Sequence, residues 1–262
     1  MENIEFRKGA VDASYCIREG WNFIKSNYGL FIGMVVVELI IVIAANFIPY
    51  AGSIINIIVG GALTCGIYIA LLAQRRRESV PFSLMFEGFS RVVPTTLITL
   101  VSAIPWLVFG LAAASIISLP QVAPNGENAA EIQAAIFNRA FIVPLILSYL
   151  VVLLVSVIFS ILLFFALPLI ADRSVGAGDA IKLSVSAGLN NIGGLIVLFI
   201  FEGLIGIACA LPTCGIGIIF VLPVIYAANI VAYKSVFPDN ESHFNNEPPR
   251  PEAYDETYGT GL

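Results

Sequence analysis

The sequence predicts an all-α membrane protein whose six transmembrane helices form three hairpins, each preceded by an interfacial amphipathic helix. Three observations carry this reading. Of 262 residues, 58% are hydrophobic and 12% charged, with a mean hydropathy of +0.93, more apolar surface than a soluble domain of this length uses. Six apolar runs reach the roughly 20 residues needed to cross a hydrocarbon core about 30 Å thick. Twelve of the thirteen Lys and Arg residues then fall on one side, with Arg139 alone on the other, which the positive-inside rule reads as both termini in the cytoplasm. A lost or added span would scatter these charges over both faces.

The predicted spans are residues 30–48, 54–73, 95–119, 140–171, 193–211 and 215–236, within a single integral membrane domain over 1–237. The fourth is too long for one simple crossing at about 1.5 Å per residue, so it should tilt, protrude or break near Pro144 or Pro168. No cleavable signal peptide is expected, because the first apolar run follows a polar segment and lacks a small-residue cleavage site.

A polar stretch with an apolar stripe precedes each odd-numbered span. Ala10, Ala13, Ile17, Trp21, Ile24 and Tyr28 recur at helical steps, the spacing of an interfacial amphipathic helix. In the second stretch Phe82, Phe86, Phe89 and Val93 share a face after Pro81, a residue suited to a first helical turn. The third, Asp179 to Ile192, also alternates like a strand. A helix after the Gly176–Asp179 turn is the expectation, since an open strand beside lipid leaves backbone groups unpaired.

The first and third units match residue by residue. Asn27 with Asn191, Gly29 with Gly193 and Glu38 with Glu202 align at one offset, and Pro49 with Pro212 and Gly52 with Gly215 after a one-residue gap. A parallel internal repeat and a chance match of apolar sequence are both open readings. The middle hairpin departs: its turn is long, residues 128–139 read as helical, and Pro105 and Trp106 occupy the depth of the acids.

Glu38 and Glu202 are the candidate functional residues, because an ionisable group at bilayer depth is expensive. One reading is a protonated carboxyl bonded to a neighbouring helix as structural glue. The other is a pair facing a common cavity that binds a proton, a cation or a lipid headgroup, shared with Asn46, Asn56, Thr64, Tyr68, Tyr226 and Asn229. Arg75, Arg76 and Arg77 can hold anionic headgroups or serve as topology anchors.

Other chemistry is thin. The single histidine, His243, lies in the tail, so no His-based metal site or triad is expected, nor any cofactor motif. Cys209 and Cys214 are spaced across a helix end, leaving a disulfide or two thiols open. Residues 238–262 carry six acids against Arg250 and read as a disordered acidic cytoplasmic tail. Twelve basic and twelve acidic residues remain in the body, so the formal charge of −5 belongs to the tail. The expected partners are membrane lipids, with an unidentified protein partner or a homo-oligomer, and no nucleic acid.

The stretches LLAQRRRESVPFSLMFEGF, FFALPLIADRSVGAGDAIKLSVSAGLNNIGGLIVLFI and GIGIIFVLPVIYAANIVAY resemble a widespread group of uncharacterised bacterial polytopic integral membrane proteins. That group is similar to the membrane domain fused to some glycerophosphodiester phosphodiesterases; the hydrolase domain itself is missing here. The resemblance covers most of residues 10–236 and implies a bacterial inner-membrane location without an activity to carry over. Three function classes follow: a non-enzymatic protein organising lipids or partner proteins, a proton- or ion-coupled small-solute transporter using Glu38 and Glu202, and a lipid-modifying membrane enzyme.

Overall fold

The structure is a computed structural model that describes residues 5–49, 51–118 and 139–239. The expected helix over residues 128–138 and the tail from residue 240 lie outside the described residues. In chain order the elements are α1 (Ala13–Ile24), α2 (Tyr28–Asn46), α3 (Gly52–Arg75), a 3-10 helix (Phe82–Arg91), α4 (Val92–Ser118), α5 (Arg139–Leu163), α6 (Ala166–Arg173), α7 (Ala177–Asn190), α8 (Ile192–Ala210) and α9 (Ile218–Val236). Among the described residues no strand forms.

Six stretches are long and apolar enough to cross a membrane: Ala13–Asn46, Gly52–Arg75, Phe82–Leu111, Ile146–Arg173, Ile192–Ala210 and Ile218–Val236. The chain is a multi-pass membrane protein. Half of the apolar window of α3 and of α9 is buried inside protein, against 17% for α8, so α3 and α9 form the centre of the bundle. Large side chains such as Leu111, Leu154, Leu204 and Leu211 remain exposed, which is stable for an outer face because lipid tails are as apolar as leucine.

Helix α1 packs along α9 and brings the two ends of the described chain together. Its buried residues are Ala13, Cys16, Gly20 and Ile24, a small-residue face rotated from the predicted stripe. The reason is close approach: a Cβ on Gly20 would stand 2.7 Å from the backbone nitrogen of Ala228. Trp21 is therefore turned outward, edge-on to Tyr28 with ring centroids 5.2 Å apart. Asp12 caps α1 by accepting from the Tyr15 amide at 3.0 Å, as short oxygen-bearing side chains do at this position.

The second amphipathic stretch is a 3-10 helix rather than the expected α-helix. A period of three puts Met85 and Gly88 in line, and both are buried against α3. A Cβ on Gly66 would strike the Met85 carbonyl and one on Gly88 the Ala62 carbonyl, so the two backbones touch directly. Phe82, Phe86, Phe89 and Val93 face outward.

Of the three outcomes open to the long fourth span, tilting, protruding or breaking, the structure shows a break. Helix α5 stops at Leu163 and α6 starts at Ala166, which places Pro168 in the first turn of α6, where its missing N–H costs least. The Phe165 amide exposed by the break donates to Ser184 Oγ at 3.0 Å, and that hydroxyl donates to the Leu162 carbonyl at 2.8 Å. Ser184 is fully buried on α7, so the kink and α7 are stapled together. Helix α7 itself is α-helical and begins at Ala177, with Asp179 inside its first turn instead of in a preceding turn. The four cysteines are free thiols, Cys209 and Cys214 included.

Candidate functional site

Glu38 lies in the middle of α2 and is 6% exposed. Both carboxyl oxygens are engaged: Thr64 Oγ1 on α3 donates to Oε1 at 2.6 Å, and Tyr226 OH on α9 donates to Oε2 at 3.1 Å. Tyr226 stands edge-on to Tyr68 with centroids 5.7 Å apart, and Asn229 Nδ2 reaches the Tyr68 hydroxyl at 3.5 Å. The acid, a hydroxyl, two phenols and an amide thus join α2 to both central helices. Each anchor is held by helical spacing: Thr64 and Tyr68 are one turn apart on α3, and Tyr226 and Asn229 are one turn apart on α9.

The two remaining polar residues stand outside this set of bonds. Asn46 Nδ2 caps its own helix through the Val42 carbonyl at 2.8 Å and is exposed. Asn56 is half-buried at the start of a π-helical stretch, Asn56–Gly60, inside α3.

Glu202 is 8% exposed at the middle of α8. Its Oε1 is buried without a hydrogen-bond partner, as is Oδ1 of Asn229. Tyr68 lies within electrostatic reach of both Glu38 and Glu202, and Cys16 on α1 within that of Glu202. The two acids differ in satisfaction: Glu38 has two hydrogen-bond donors, and Glu202 Oε1 has none.

Local geometry around the acids is alike. Helices α2 and α8 each have 19 residues and follow an asparagine with nearly the same backbone, φ −120° and ψ 25° at Asn27, φ −124° and ψ 16° at Asn191. Buried Phe31, Met34 and Glu38 on α2 correspond in position to buried Leu195, Leu198 and Glu202 on α8. The asparagines differ in partners: Asn27 donates to Gln74 Oε1 at 2.7 Å, whereas Asn191 accepts from the Ala10 amide and donates to the Arg7 and Ala187 carbonyls.

No protein-family model, no curated protein and no solved structure matches the chain.

A second cluster was not singled out from the sequence. Asp172, at the end of α6, is 4% exposed and accepts from Arg76 at 2.8 Å, Tyr233 OH at 2.8 Å and Lys234 Nζ at 2.8 Å. Lys234 also pairs with Asp239. Arg91 donates to the Ile170 carbonyl at 2.6 Å, which also accepts from the Ser174 amide, and to the Ala171 carbonyl in the last turn of α6. Side chains from the ends of α3, α6 and α9 so converge on one buried carboxylate. The signal was present as a lone acid at the end of a span among bases ending the other spans, but only folding reveals that they meet.

The arginine triplet is divided. Arg76 goes inward to Asp172, while Arg75 and Arg77 line a cleft with Tyr15, Glu19, Phe23 and Gln74. Arg77 takes a left-handed backbone, φ 58°, closing α3 with bonds from its amide to the Gln74 carbonyl and from the Glu78 amide to the Ala73 carbonyl. That is the helix-ending geometry that usually takes glycine; an L side chain there costs about 1–2 kcal/mol.

Proposed function

We propose that the protein is a non-enzymatic inner-membrane protein that organises membrane lipids through its amphipathic elements, with both termini in the cytoplasm. One observation carries the reading. The 3-10 helix is clamped to α3 by backbone contact at Gly66 and Gly88, and so fixes the position of the exposed Phe82, Phe86 and Phe89, with exposed Val93 following in the first turn of α4. A rigid row of aromatic rings at the start of a spanning stretch orders the lipids beside it, because rings at the headgroup boundary are the usual interfacial anchors. Trp21 and Tyr28 add a second aromatic pair at the α1–α2 joint. The basic side chains at the span ends support the cytoplasmic placement, and the likeness to bacterial polytopic membrane proteins supports the inner membrane.

The test is lipid composition around the reconstituted chain. Lipids retained by the protein after extraction should differ from the bulk mixture, and the combined Phe82→Ala, Phe86→Ala, Phe89→Ala variant should lose that difference. Bulk composition around the parent chain would remove the basis for the proposal.

A second reading, proton- or ion-coupled transport of a small solute, is favoured by the unpartnered Oε1 of Glu202. A buried polar atom without a partner calls for a ligand or a water. Vesicle uptake driven by a proton gradient should then fall in Glu202→Gln and, to a lesser degree, in Glu38→Gln. Gradient-independent uptake in the parent would sink it.

A further inference from the structure

The open surface cleft at the end of α3 has a volume of about 370 Å³ and is lined by side chains of opposite charge. Tyr15, Glu19 and Phe23 follow each other at four-residue steps on α1, so one face presents an acid between two rings. Arg75 and Arg77 form the facing wall, with Arg76 between them withdrawn onto Asp172. Among the described residues the ion pairs centre on Asp172 and Lys234, and Glu19, Arg75 and Arg77 belong to none of them. Both signs of charge therefore line the cleft without forming an ion pair within 4.0 Å.

The walls are held in position. Gln74 accepts from Asn27 Nδ2 at 2.7 Å and donates to Ser26 Oγ at 3.2 Å, which ties the end of α3 to the α1–α2 joint. Arg77 is kept in its left-handed conformation by the helix-ending bonds, which fix its place at the end of α3. Arg75 is the last residue of Gly52–Arg75, a stretch long and apolar enough to span, and a basic residue at the end of such a stretch belongs at headgroup depth.

We infer that this cleft binds a phosphate ester that also carries an ammonium group, as in the headgroup of an amine-bearing phospholipid. Arg75 and Arg77 take the phosphate oxygens through charge-assisted hydrogen bonds. Glu19 takes the ammonium, with the Tyr15 and Phe23 rings beside it for cation–π contact. The volume lies near the lower end of small-molecule sites, about 300–1,000 Å³, and so suits a headgroup rather than a whole lipid. Glu19 supplies the selectivity: it repels a plain anionic headgroup and attracts a zwitterionic one. The inference rests on the lipid-organising reading and names the chemistry it selects.

The experiment uses the full chain reconstituted in bilayers of equal phosphatidylethanolamine and phosphatidylglycerol, with lipids retained through extraction counted by native mass spectrometry. The parent should retain the ethanolamine lipid in excess. Arg75→Gln with Arg77→Gln should lower its retention about tenfold, the loss expected for charged hydrogen bonds, while the paired lysine substitutions keep most of it. Glu19→Gln, which keeps the size of the partly buried side chain and removes its charge, should abolish the preference without abolishing phospholipid retention. Soluble phosphoethanolamine distinguishes the sources: displacement of the lipid at millimolar concentration assigns the cleft to the free ester, and persistence assigns it to the lipid. Retention indifferent to both the arginine and the Glu19 changes overturns the inference, and leaves the lipid-organising reading standing if the phenylalanine variant still alters composition. No enrichment in the parent overturns both.

Discussion

Lys234 Nζ stands 2.8 Å from Asp172 Oδ2 with both side chains 4% exposed or less. The pair locks the end of α6 to the end of α9, and Arg76 brings in the end of α3. Asp172 is thus the counter-charge for two chain segments remote from it in sequence, and the burial of the Lys234 pair makes that bond less sensitive to salt than the half-exposed Arg76 one.

Removal of the acid alone should cost more than removal of the pair. Asp172→Asn leaves Lys234 buried beside only Asp239 and should destabilise the fold by about 3 kcal/mol, the lower end for breaking a buried pair. Asp172→Asn with Lys234→Met should recover part of that loss. Reversible unfolding in micelles measures both, and equal losses would show that the pair is not coupled.

Glu38 should tolerate amide replacement better than apolar replacement. Glutamine retains an oxygen for Thr64 and offers Tyr226 a donor in place of an acceptor, whereas Glu38→Leu strands both hydroxyls. Hydrogen bonds between membrane helices are worth about 0.6 kcal/mol on average and at most about 1.7, so Glu38→Leu should cost about 1–2 kcal/mol. Tyr226→Phe should cost less. Denaturant titration of the reconstituted chain ranks the three.

Ser184→Ala removes the staple at the α5–α6 break. The Phe165 amide would then be buried without a partner, a loss of about 1–3 kcal/mol. Hydrogen exchange at Phe165 should speed up in the variant while exchange within α9 is unchanged. Uniform acceleration would mean that Ser184 supports the whole bundle instead of the kink.

The α1 cap should be sensitive to acid. The Tyr15 amide, with help from the Ser14 hydroxyl, holds the Asp12 carboxyl below its usual range. Its folded-state pKa lies below its unfolded value, near 3.9, so the cap's contribution is complete above that value and is lost as pH falls through the lower folded one. Protection of the Tyr15 amide should be constant from neutral pH to about 5 and decline below about 4. Asp12→Asn, which caps without titrating, should remove that decline.

Legibility followed the range of the interaction. The six apolar stretches could be read from runs of neighbouring residues, whereas the length of the fourth left tilt, protrusion and a break near Pro144 or Pro168 open. The helix over 177–190 followed from the cost of an open strand beside lipid rather than from its strand-like alternation. The protein-facing side of α1 could not be read: its stripe marked only an interfacial apolar face, while Gly20 decides the packing because only a hydrogen side chain lets α1 lie on Ala228. The same limit hid the 3-10 form of Phe82–Arg91, set by contact with Gly66. Among candidate polar residues, Thr64, Tyr68, Tyr226 and Asn229 gather beside Glu38, while Asn46 turns back on its own helix.

By itself the sequence determined that this chain is helical and multi-pass, since lipid demands long apolar segments with their backbone bonds closed internally. It also marked Glu38 and Glu202 as costly. Only the tertiary structure decided that Glu38 is satisfied by two other helices, that Glu202 retains an unpartnered oxygen, and that the arginine triplet divides between Asp172 and a cleft. Those outcomes depend on which helix faces are brought together, and side-chain hydrogen bonds act over about 3 Å, far below the separation along the chain of the residues they join.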